Sequence, residues 1–161
     1  MYGGWKNCAK SPYLHFSIVL ALLISLFGGS DAPAWFDLTI SILPNVLGFS
    51  LGGYAILLAF GDEKFRFIIS GPDNDGTPSP FMKMNGAFIH FIVIQIFAIL
   101  FALLSSAFGI KTGVLAWFGR SLLIYAISTA LAAAMAILNT ADWFDEHIAR
   151  LKNNTEKEPK K

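Results

Sequence analysis

Apolar residues fall into four long runs along the chain, separated by shorter polar breaks. Runs of this length carry the mark of membrane helices rather than of the faces of a soluble bundle. The pattern predicts spans over about 13–29, 35–60, 86–108 and 119–141. The second run, WFDLTISILPNVLGFSLGGYAILLAF, holds a single charge, Asp37, near its start. At ~1.5 Å rise per residue it can cross a hydrocarbon core of about 30 Å with some tilt. Between the second and third runs lies the longest break, residues 61–85. It opens with the charged, amphipathic DEKFRFIIS and continues through GPDNDGTPSP, rich in turn formers. After the last run, DWFDEHIARL over 142–151 predicts a membrane-proximal helix, and the polar residues 152–161 predict a disordered tail. The expected fold is therefore all-α: a four-transmembrane-helix bundle over 1–151 with a short polar tail.

Basic residues set the expected orientation. Lys6 and Lys10 precede the first run, Lys64, Arg66 and Lys83 occupy the middle break, and Arg150, Lys152, Lys157, Lys160 and Lys161 follow the last. Only Lys111 and Arg120 fall on the opposite side. Four spans then put both termini and the long loop in the cytoplasm. Trp5 and Trp143 map to the inner boundary, Trp35 and Trp117 to the outer one, where amphipathic rings settle. The first run also resembles a signal peptide, with Lys6 and Lys10 ahead of it and Ala32-Pro33-Ala34 behind it. It is read here as a membrane helix.

Short matches point to two repeated helical hairpins. His15-Phe16 recurs as His90-Phe91, Phe27-Gly28 as Phe108-Gly109, Ala34-Trp35-Phe36 as Ala116-Trp117-Phe118, and Asp62-Glu63 as Asp145-Glu146. Every span also offers small residues at helical spacing. Gly48 and Gly52 form a G-x-x-x-G step; Ala126, Ala130 and Ala134 form a ladder; Ser17, Ala21 and Ser25 form another. Such stripes let helix backbones approach closely, within one chain or between chains.

Polar residues inside the runs are few, and each is a candidate. Asn45, Gln95, Ser128 and Thr129 fall near the middle of their spans. They either bond between helices or line a narrow polar path. Pro44 removes a helix hydrogen bond and predicts a kink. Asp37 and Arg120, both near the outer boundary, can form an ion pair or snorkel separately to water.

Composition narrows the chemistry. The chain is 55% hydrophobic and 14% charged, far from a soluble domain. Cys8 is the single cysteine, so no disulfide forms within the chain. His15, His90 and His147 map to the inner boundary at spacings that match no metal-ligand motif, and no metal or cofactor is expected. No phosphate loop, zinc-protease helix or nucleophile elbow is present, and no enzyme activity is expected. Nothing in the charge pattern points to nucleic acid. No acid sits in the first span to couple transport.

The span order, the small-residue second helix with its LGFSLGGYAILLAF run, and the charged tail make the chain similar to small four-span bacterial inner-membrane proteins of the phage-exclusion (RexB-like) and anti-phage-defence type. No motif matches residue by residue, so no family site is carried over. The resemblance implies an inner-membrane protein with a depolarising or defence role. The expected function is an integral membrane subunit that forms a homo-oligomer in the lipid bilayer or couples to a cytoplasmic protein partner. The alternative is a pore-forming, ion-conducting effector; a small-solute transporter fits less well.

Overall fold

The computed structural model describes residues 10–28, 34–60 and 79–157. Among these the chain is all-helical, with α1 Pro12–Phe27, α2 Trp35–Phe60, α3 Pro80–Ala107 and α4 Gly113–Lys157. The predicted amphipathic segment DEKFRFIIS, most of the long loop, and Trp5, Lys6 and Cys8 lie outside the described residues.

Local chemistry explains where the helices start and stop. α1 and α3 both begin on a proline, where the missing N–H costs no helix bond. Ser79 caps α3: its hydroxyl accepts from the Met82 N–H at 3.2 Å. The Ser-Pro pair at the end of the turn-rich loop is thus a helix start. It places the beginning of α3 six residues before the Gly86 expected from hydropathy. At the far end, Gly109 adopts a left-handed φ of 64°. Its N–H bonds the Ser106 carbonyl, and the Ile110 N–H bonds the Ser105 carbonyl at 2.9 Å. This is a Schellman turn, and it needs glycine at that position. It reverses the chain from α3 into α4.

Three helices are long and apolar enough to cross a membrane, over Trp35–Ala55, Phe81–Ala107 and Gly113–Asn139. α1 has 16 residues. At ~1.5 Å per residue it reaches about 24 Å, short of a hydrocarbon core of about 30 Å. The described helices therefore establish three membrane-length elements and one shorter apolar helix. α4 is one continuous helix of 45 residues. It starts six residues before the boundary expected at 119 and absorbs the membrane-proximal helix. The tail expected to be disordered from Lys152 is helical as far as Lys157.

The packing order departs from two repeated hairpins. α2, α3 and α4 pack on one another, whereas α1 packs chiefly on α4 and only marginally on its chain neighbour α2. The first proposed hairpin is therefore not a packed unit, although the second one, α3–α4, is. Contacts fix the directions. Trp35 at the start of α2 bonds Ile110 beyond the end of α3, and Tyr54 in α2 bonds Asn85 near the start of α3. Arg120 in the third turn of α4 bonds Ser25 near the end of α1. Successive helices thus run antiparallel.

The interior is stacked in three layers. At one end Trp35, Phe36, Ala102 and Ala116 pack together. Next come Leu43, Ala98, Leu122, Leu123 and Ala126. At the other end lie Met84, Phe88, Phe91 and Ala133, with Tyr54 stacked on Phe88 at a centroid distance of 4.9 Å. Large rings fill the two ends, and smaller side chains let the helices close at the centre.

Candidate functional site

α3 turns one narrow stripe inward: Met84, Phe88, Phe91, Gln95, Ala98, Ala102 and Ser105 are all buried. The alternating steps of four and three residues give the seam of a left-handed helix crossing. One member of the stripe is an amide. Gln95 is wholly buried, and neither its Oε1 nor its Nε2 has a hydrogen-bond partner. A side-chain amide carries two donors and two acceptor lone pairs. Leaving them unmade in an apolar interior costs on the order of 2 kcal/mol or more. Gln95 lies one residue past Ile94, the midpoint of the apolar stretch Phe81–Ala107.

The inward stripe of α4 runs Ala116, Gly119, Leu122, Ala126, Thr129 and Ala133. Thr129 falls between the Ala126 layer and the Ala133 layer, and Gln95 falls between the same two layers on antiparallel α3. By register the two share a level. The Thr129 hydroxyl donates to the Ala126 carbonyl at 3.0 Å, which leaves its oxygen as an acceptor. Ser128, partly buried, donates to the Ile124 carbonyl at 2.8 Å.

The four polar residues expected at mid-span do not share one face. Gln95 and Thr129 turn inward, whereas Asn45 is exposed. It donates from Nδ2 to the Ser41 carbonyl one turn back, at 3.1 Å. Pro44 lies inside α2 without ending the helix, and it too is exposed.

Gly48 and Gly52 do not make a close intrachain approach. Both are exposed, and a Cβ added at either would meet nothing within 4 Å. With Ser41 and Asn45 they form a continuous outward face of α2, stepped by four, three and four residues. Phe49 beside them is 84% exposed. The small-residue stripe of α1 behaves differently. Ser17 and Ala21 are fully buried, and Ser25 accepts from Arg120. That stripe is the seat of α1 on α4. The α4 ladder splits: Ala126 is buried in the core, Ala130 is partly buried, and Ala134 is exposed. One helix face cannot hold three residues four apart for long, because each four-residue step drifts around the axis.

Arg120 pairs with Ser25, not with Asp37. Its Nη1 donates to the Ser25 hydroxyl at 2.9 Å, and no ion pair to Asp37 is formed. Asp37 is exposed in the first turn of α2, where a carboxylate favours the positive end of the helix dipole.

Two contacts and one unpartnered indole went unread in the sequence. Trp35, expected to float at the boundary, is buried, and its indole N–H donates to the Ile110 carbonyl at 3.0 Å. Trp117 buries its own indole N–H without a partner. His90, expected at the inner boundary, lies within the apolar stretch of α3, with its Nε2 3.0 Å from the Tyr125 hydroxyl on α4. An ionisable group inside a span with a named partner is a functional candidate by default. His15 is exposed, with its Nδ1 2.9 Å from the Ser11 carbonyl, and has no part in that pair. Among the described residues no three His, Cys, Asp or Glu side chains come together.

No protein-family model, curated protein or solved structure matches the chain.

Proposed function

We propose that the chain is an integral membrane subunit that assembles with copies of itself through the outward face of α2. The observation behind this is Asn45. It is the midpoint of the apolar stretch Trp35–Ala55, and it is exposed on the side where Gly48 and Gly52 leave the backbone open. One amide hydrogen is used on Ser41; the other, and the side-chain oxygen, have no partner among the described residues. In lipid those groups have no partner. A second copy of α2 crossing at the two glycines supplies one, because the missing side chains let the backbones close and bring two Asn45 amides together. Each such bond is worth about 0.6 to 2 kcal/mol.

Charge placement supports both termini on the cytoplasmic side, with α1 as a fourth, shorter span, and the family resemblance implies the inner membrane. The polar part of α4 beyond Asn139 continues for 18 residues, which is about 27 Å of helix. On this topology it reaches into the cytoplasm, where a soluble partner could dock. A role in anti-phage defence is what the family resemblance implies. The alternative, an oligomer that conducts ions along Asn45, Gln95, Ser128 and Thr129, draws less support, since Gln95 and Thr129 are buried within the chain while Asn45 is exposed.

Cysteine crosslinking in native membranes tests the assembly. In a Cys8→Ser background, Gly52→Cys is expected to give an oxidant-dependent dimer. Val93→Cys, on an exposed face of α3, is expected to stay monomeric. Equal crosslinking at the two positions, or none at position 52, overturns the proposal.

A further inference from the structure

We infer that the level of Gln95 and Thr129 is a sealed binding site for water inside the bundle. Three observations converge on this level. Gln95 is fully buried and its whole amide lacks a protein partner. Thr129 is buried at the same register and spends its hydroxyl hydrogen on the Ala126 carbonyl, so it can only accept. Apolar layers close the level on both sides: Leu43, Ala98 and Ala126 above, Phe88 and Phe91 below.

Water fits what these groups lack. A water molecule accepts from Gln95 Nε2 and donates to Thr129 Oγ1 and to Gln95 Oε1, which gives each end of the amide one bond. Buried waters typically make about three such bonds. A metal cation fits poorly, because both side chains are neutral and no carboxylate among the described residues shares the level. A continuous aqueous path fits poorly too, because the two flanking layers are apolar and tightly buried. The site is independent of the outward face of α2, and its failure would leave the assembly proposal untouched.

Gln95 is the chain's single glutamine, so its side-chain amide can be labelled with 15N and read without ambiguity. The experiment is magnetisation transfer from water to that amide in the full-length protein in liposomes, followed by deuterium exchange. The expected result is transfer to the Gln95 amide together with exchange at least about tenfold slower than at the exposed Asn139 amide. Absence of transfer means a dry interior and overturns the inference. Transfer with exchange as fast as at Asn139 means an open aqueous path and overturns it as well. Gln95→Met, close in volume, checks by helicity that the fold stands without the amide.

Discussion

Gly119 of α4 lies directly under the six-membered ring of Trp35 at the start of α2. A Cβ built on Gly119 would run into Cη2 and Cζ3 of that ring. Trp35 is held on its other sides by Phe36, Phe101 and the Ile110 carbonyl. The ring cannot move away, so the helices must. Gly119→Ala is expected to destabilise the bundle by about 1 to 3 kcal/mol, the usual cost of overpacking. That exceeds the roughly 1 kcal/mol of helix propensity that alanine gains over glycine. Gly53→Ala, which meets nothing within 4 Å, is expected to cost nothing and to gain part of that propensity. Thermal unfolding in detergent followed by circular dichroism checks both. Equal effects at the two positions would contradict the Trp35 contact.

The indole of Trp35 ties α2 to the turn that joins α3 and α4. Trp35→Phe keeps most of the ring and loses the N–H. The expected loss is about 1 kcal/mol, with the helix content of the folded state unchanged. Unfolding midpoints in a denaturant series report it. Trp117→Phe is the contrast: its buried N–H has no partner, so the change is expected to be neutral or stabilising.

His90 and Tyr125 hold α3 against α4 inside the apolar stretch. Tyr125→Phe and His90→Phe are each expected to cost stability. Their double-mutant cycle is expected to return a coupling of about 0.6 to 1.7 kcal/mol, the range for bonds between membrane helices. A coupling of zero would mean that the 3.0 Å approach carries no bond.

Asp37 and Arg120 are expected to behave independently. Asp37→Asn should change stability by less than about 0.5 kcal/mol, as for a surface change away from any partner. Arg120→Met removes the bond to Ser25 and is expected to loosen α1 from α4, read as faster proteolysis near Phe27. A marked coupling between Asp37→Asn and Arg120→Met in a double-mutant cycle would restore the ion pair.

The helices themselves were legible in the sequence; which side of each faces inward was not. In water, the polar side of a helix betrays the buried one. In lipid both sides are apolar, so Gly48 and Ala21, alike in type and spacing, give no sign that one is open and the other buried. Helix ends were misread where local chemistry outweighs hydropathy. Ser79-Pro80 looked like the last turn of a loop and is the cap of α3. Polar residues from Lys152 looked like a tail and continue α4, because a long helix already formed is extended at little cost. The first of the two proposed hairpins has little packing of its own. Aromatic and charged residues recur at helix boundaries for their own reasons, and α1 finds its seat on α4 through Ser17 and Ala21. Gln95 was visible as a mid-span polar residue. Its complete burial without a partner was not, since that depends on the facing of three helices at once.

Self-association through the open face of α2 is the claim on which the functional account rests. Sedimentation equilibrium in density-matched detergent measures it directly. The wild-type chain is expected to sediment as an oligomer. The Gly48→Leu/Gly52→Leu variant is expected to sediment as a monomer with unchanged helicity, because a Cβ at either glycine meets nothing within 4 Å among the described residues. A wild-type monomer, or a variant with the same mass as an oligomeric wild type, would contradict the account.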